Sequence, residues 1–161
     1  ECIYLGNIDS LRDWGHAKDY VELQWKILQQ DEPDDFVIAT GRQESVRRFI
    51  EIAANELGWT NKENNVSIIW EGKGLDEVGR RADTGKIVVR IDPRYFRPCE
   101  VQTLLGDPSK ASRQLAWKAS TSLEELVGEM ISNDLNIAKK EVLIASKGFR
   151  INSSKESPPN N

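Results

Sequence analysis

Apolar and polar positions change places in short blocks along this 161-residue chain, and most blocks carry a readable period. CIYLG at 2–6 predicts a short buried strand stopped by a glycine, and a polar loop through Asp9 and Ser10 follows. Between Lys18 and Gln30, Tyr20, Val21, Leu23, Trp25, Ile27 and Leu28 fall largely three or four apart, which predicts an amphipathic helix ended by Pro33 and its acidic neighbours. FVIAT at 36–40, closed by Gly41, has the unbroken apolar run of a strand covered on both faces. Ser45 then reads as the N-cap of a helix whose stripe is Val46, Phe49, Ile50, Ala53, Ala54 and Leu57, with Gly58 as its C′ residue. VSIIWEG at 66–72 and KIVVRID at 86–92 predict strands on either side of a glycine- and charge-rich loop, 72–85. After the proline-pinned turn DPRYFRP at 92–98, Asp107 and Pro108 announce a short helix to about Leu115. The last strong element is 122–140, opened by a Ser122/Glu125 capping box, with Leu123, Leu126, Val127, Met130, Ile131 and Leu135 on its apolar face.

Strands alternate with helices, so the fold class is α/β. NSSKESPPNN at 152–161 has no apolar residue and two prolines, the composition of a disordered tail. The length suits about one domain. The chain begins with Glu1 and its single methionine is Met130, which points to a piece of something longer. Mean hydropathy is −0.54 and no apolar run exceeds four residues. A membrane-spanning helix needs about 20, and a charged-then-apolar leader of the secretory kind does not open the residues given.

Net charge is −4 and the pI about 5.2, against the basic face a nucleic-acid binder uses to replace phosphate counterions. The average hides a polarity. Eight acids and three bases lie between Asp9 and Asp35; six bases (Arg80, Arg81, Lys86, Arg90, Arg94, Arg97) and two acids lie between Arg80 and Arg97. Such a basic stretch is either a solvated loop or a seat for a small anion. Cys2 and Cys99 are too few for a disulfide scaffold and default to reduced thiols in a cytoplasmic protein. With one histidine and no CxxC, no metal site is expected.

The usual catalytic signatures fail. GKGLDE at 72–77 lacks the third glycine of a phosphate-cradling loop, and no helical pattern follows it. His16 lies beside no nucleophile motif and reads as structural, and none of the tyrosines is followed by lysine four residues later. Arginines on turn segments are what is left. Arg12 precedes the first helix and Arg97 sits beside Pro98. Each guanidinium offers a fixed fork of donors suited to phosphate oxygens, while Glu100 is an acceptor suited to sugar hydroxyls. The alternative is structural pairing, Arg12 with its acidic surroundings at Asp13 and Arg97 with Glu100.

LGNIDSLRDWGHAKDYV (5–21), QQDEPDDFVIATG (29–41), WEGKG…EVGR (70–80), DPRYFRPCEVQTLLGDPSKA (92–111) and SLEELVGEMI (122–131) strongly resemble the GDP-mannose 4,6-dehydratase family of extended short-chain dehydrogenases. The likeness runs from about residue 3 to about residue 140. It implies an NADP-dependent lyase in which GDP-mannose is oxidised at C4 by hydride transfer and loses the C5 proton and C6 hydroxyl. The hydride returns to C6, giving GDP-4-keto-6-deoxymannose, a GDP-fucose precursor.

The resemblance implies that NADP and the catalytic groups belong to a missing N-terminal Rossmann domain, so that no catalytic residue lies here and the fragment is inactive alone. It assigns substrate binding to Arg12, Arg97 and Glu100, with Cys99 where the family commonly has threonine. It divides the chain into 1–44, packing partly against the Rossmann domain; 45–151, a substrate-binding α/β domain; and the tail 152–161. It implies a cytoplasmic parent enzyme that is a homodimer or homotetramer, with GDP-mannose as partner and neither nucleic acid nor membrane. A related nucleotide-sugar epimerase or reductase, and a non-catalytic nucleotide-sugar binding module, are the competing expectations.

Overall fold

Local signals decide most element ends in the computed structural model, which describes residues 2–61, 63, 65–97, 99–101 and 103–150. In chain order these are β1 (Ile3–Leu5), β2 (Leu11–Arg12), α1 (Ala17–Leu28), β3 (Glu44–Ser45), α2 (Val46–Glu56), β4 (Ile68–Glu71), a 3-10 turn (Gly74–Asp76), β5 (Val78–Arg81), β6 (Ile87–Ile91), β7 (Thr103–Leu104), α3 (Ser109–Leu115) and α4 (Leu123–Ser146). α2 opens where the Ser45 hydroxyl accepts the Arg48 N–H at 3.1 Å. It closes in a Schellman motif: Gly58, at φ +73°, donates to Asn55 O and Trp59 donates to Ala54 O. α4 opens on the expected capping box, with the Glu125 N–H on Ser122 Oγ at 3.1 Å and the Ser122 N–H on Glu125 Oε2 at 2.8 Å. The expected tail at 152–161 lies outside the described residues.

The chain forms two compact units. One takes the residues up to Gly6, Ala53–Arg97 and those from Val127 onward. Its sheet has the order β1-β6-β5-β4, with β1 parallel to β6 and the other neighbours antiparallel. Ala54, Ile68, Val89, Ile91 and Val127 are its buried apolar residues. Two expectations change here. The 72–85 segment is not all loop, because β5 lies within it and pairs on both sides. And β1, expected to be buried, is an edge strand with Ile3 60% exposed.

The other unit takes Asn7–Ile52 and Pro98–Leu126. Its three-stranded sheet has the order β3-β2-β7, with β2 antiparallel to β3 and parallel to β7. Leu23 of α1, Ala111 and Leu115 of α3, Trp117 and Ala119 form the core, and Tyr20, Ile27, Phe36 and Ile38 pack against it. FVIAT is therefore a correction. Phe36 and Ile38 face the core and Val37 is half exposed, but 36–40 joins no ladder among the described residues. An apolar run predicts burial; a strand also needs a neighbouring backbone, and here the Thr40 N–H goes to a side chain instead. α1 also differs from a one-sided helix, since Val21, Trp25 and Leu28 make a second, exposed apolar row.

Candidate functional site

The segment Arg12–His16 organises the second unit residue by residue. Arg12 ends β2, and the parallel pairing of β2 with β7 brings the chain at 100–104 alongside it. Its Nη2 donates to Glu100 Oε1 at 2.6 Å, and its Nη1 donates to the Leu11 and Val101 carbonyls, both at 2.8 Å. The two side chains are 25% and 20% exposed, so the pair is only partly shielded. Three of the five guanidinium N–H groups are used in this way, and the remaining two have no acceptor among the described residues. Glu100 likewise keeps Oε2 without a donor among the described residues. The pair thus presents donors and an acceptor side by side.

The next residues hold Arg12 in place. Asp13 Oδ1 accepts the Thr40 N–H at 2.8 Å and its hydroxyl at 2.7 Å, and Oδ2 accepts the Gly41 N–H at 3.0 Å. Trp14 donates from Nε1 to Glu44 O at 3.0 Å and stacks at a tilt on Phe49, with centroids 4.8 Å apart. His16 is the N-cap of α1, its Nδ1 accepting the Lys18 N–H at 3.0 Å, which is the structural role its position suggests. One helical turn on, Asp19 is 5% exposed and accepts from Ser120 Oγ and the Thr121 N–H, both at 3.0 Å. Burial pushes its carboxyl up, but the Thr121 and Ser120 hydrogen bonds outweigh that and leave it below the ordinary carboxylate range.

Arg97 belongs to the first unit, beyond the turn that follows β6. Asp92 builds that turn. Its backbone O accepts the N–H groups of Tyr95 and Phe96, and its carboxylate takes the Arg94 N–H and guanidinium at 2.8–3.0 Å. The Arg94 contacts hold the Asp92 carboxyl below its usual range. Half of the basic stretch is paired, Arg80 with Glu71 at 2.7 Å, Arg81 with Asp83 at 2.6 Å and Arg94 with Asp92 at 2.8 Å, while Lys86 and Arg90 make no ion pair among the described residues. Arg97 is exposed and makes no ion pair among the described residues. So Arg12 and Glu100 come together while Arg97 stands in the other unit, and the alternative pairing of Arg97 with Glu100 does not form. Asp13 and Trp14 have roles that no residue-type argument supplied, because both act on chain about 30 residues away.

A family model described as GDP-mannose 4,6 dehydratase matches residues 1–130. The chain belongs to the GDP-mannose 4,6-dehydratase family. It is 50% identical over 167 aligned residues to a GDP-mannose 4,6-dehydratase of Yersinia enterocolitica, covering 98% of this chain and 43% of the relative. One from Vibrio cholerae is 50% identical over 94% of this chain and 41% of the relative. The human GDP-mannose 4,6 dehydratase is also 50% identical, over 86% of this chain and 36% of its own. The chain thus spans about two fifths of the length of its bacterial relatives.

Among solved structures, UDP-glucose 4-epimerase of Thermotoga maritima, with UDP-glucose, aligns at TM-score 0.59 and 18% identity over 86% of this chain and 36% of that one. RMD of Pseudomonas aeruginosa, complexed with NADPH, aligns at TM-score 0.57 and 15% identity over 81% and 34%. These likenesses show the fold alone, an α/β fold shared with about a third of each of those chains. Among the described residues no group of three or more His, Cys, Asp and Glu could hold a metal, and no helix is long and apolar enough to cross a membrane.

Proposed function

We propose that this chain is the substrate-binding part of a GDP-mannose 4,6-dehydratase, a lyase converting GDP-mannose to GDP-4-keto-6-deoxymannose on the way to GDP-fucose. The observation that carries the reading is the Arg12–Glu100 pair, held at 2.6 Å with donors and an acceptor unspent, in a chain of this family. Arg12 orients Glu100 and offers its remaining N–H groups to phosphate oxygens. Glu100 Oε2 accepts from sugar hydroxyls. Arg97, exposed and without an ion pair among the described residues, supplies a further phosphate contact. In this reading 1–44 packs partly against a Rossmann domain and contributes Arg12, and 45–151 is the substrate-binding domain that supplies Arg97 and Glu100.

NADP, the cofactor this reading implies, finds no phosphate cradle in the glycine-bearing loop of this chain. GKGLDE runs into a single 3-10 turn over Gly74–Asp76, not a helix whose first N–H groups could cradle a diphosphate. In this reading the chain by itself binds substrate without turning it over. The parent enzyme is read as a cytoplasmic homodimer or homotetramer, in keeping with the two free thiols Cys2 and Cys99.

Calorimetric titration of GDP-mannose into the chain and its Arg97→Ala variant tests the assignment. Loss of one phosphate contact should weaken binding roughly tenfold. Binding that the substitution leaves unchanged refutes the site.

A further inference from the structure

The C-terminal half of α4 carries an apolar seam that nothing among the described residues covers. Near the start of the helix Val127 is fully buried and Ile131 half-buried, but Leu135 is 39% and Val142 70% exposed. With Ala138 and Ala145 these positions run 131, 135, 138, 142, 145, the alternating four- and three-residue spacing of a coiled-coil seam. Ile137 and Ile144 are exposed outside this stripe, but only the stripe continues the face that Val127 and Ile131 bury. The stretch matched by the family model ends at residue 130, just before the seam begins.

The flanking charges choose the occupant. Taking Leu135 and Val142 as a positions and Ala138 and Ala145 as d, Asp134 and Glu141 occupy g and Lys139 occupies e. In a parallel, in-register pair, g faces the e position five residues on in the other strand. Asp134 of each copy then meets Lys139 of the other, twice by symmetry. An antiparallel pair would set the acidic g positions against one another. The seam is therefore complementary to itself in one orientation.

We propose that residues 131–146 of α4 form a parallel, two-stranded coiled coil with a second copy of this chain. Small Ala138 and Ala145 at d let the strands approach closely, while Leu135 and Val142 supply most of the buried area. Leu143 is 60% exposed but lies at b, on the outside of the pair.

Sedimentation equilibrium over micromolar to hundreds of micromolar chain tests this. The weight-average mass should climb from 18.3 kDa toward twice that value. Val142→Glu should move the midpoint at least about tenfold to higher concentration. Leu143→Glu, an equally exposed apolar-to-acidic change, should leave the midpoint in place. Lys139→Glu should weaken association, and adding Asp134→Lys should restore it. Circular dichroism confirms that each variant keeps its helix content. A chain that stays monomeric throughout overturns the proposal and assigns the seam to polypeptide outside these residues. So does association indifferent to Val142→Glu, association equally lost with Leu143→Glu, or a double variant that does not recover.

Discussion

A carboxylate buried between an N-cap turn and a returning loop gives the sharpest single-residue test. Asp19 accepts two hydrogen bonds from Ser120 and Thr121, and its own carbonyl takes Trp117 Nε1 at 3.1 Å. Asp19→Asn replaces acceptor lone pairs with an amide that faces donors, so chemical denaturation should report a loss of about 1–3 kcal/mol. The pH dependence has a definite sign. The folded-state pKa lies below the ordinary value of about 3.9, so the stabilisation is complete above that value and is lost as pH falls through the lowered folded value. The gap between wild type and variant should accordingly be flat at neutral pH and close on acidification below about 4. A gap that widens on acidification contradicts the hydrogen-bond account.

The same residue scale separates what was legible from what was not. Arg12 and Glu100 stand out by their chemistry as candidates for phosphate and hydroxyl groups, with structural pairing the open alternative, and the family resemblance singles them out among many charges. Their contact with each other was not legible. It depends on β2 and β7, two residues each and nearly 90 residues apart, pairing in parallel. His16 could be read as structural because an N-cap is a local event. Asp13 and Trp14 could not, because the groups they satisfy lie on the 40–49 segment.

At the scale of elements, ends were legible and pairings were not. Ser45, Gly58, Ser122 and Glu125 close or open their helices through neighbours within five residues, so sequence alone locates them. FVIAT carries a strand's composition without a strand's partner. β5 is the reverse case, a strand with the composition of a loop. Its VGRR holds a ladder on both sides because Gly79 lets the Trp70 ring lie close; a Cβ there would come within 2.8 Å of Trp70 Cζ3 and 3.1 Å of Val89 Cβ. Gly79→Ala should therefore cost about 1–3 kcal/mol by overpacking, read as a lower thermal midpoint. An unchanged midpoint would mean that the Trp70 ring gives way without cost and the close approach is not needed. α1 adds a face that amphipathic reading merges into one stripe: Tyr20, Leu23 and Ile27 point to the core, whereas Val21, Trp25 and Leu28 do not.

For the whole molecule, net acidity conceals how the arginines are used. A charge of −4 argues against a broad polyanion surface, and Arg80, Arg81 and Arg94 are spent on nearby carboxylates. Arg97, like Lys86 and Arg90, makes no ion pair among the described residues. The α/β class and family membership were both legible because motif segments spread over most of the chain carry them. How those segments divide into two units was not, since each unit is assembled from separated stretches of chain. The most direct test of the account is a GDP-mannose titration followed by amide chemical shifts. The account predicts saturable shifts centred on Arg12, Arg97, Glu100 and Val101, with the 72–77 loop unmoved. Shifts confined to other residues, or none at concentrations that saturate a relative of full length, would contradict it.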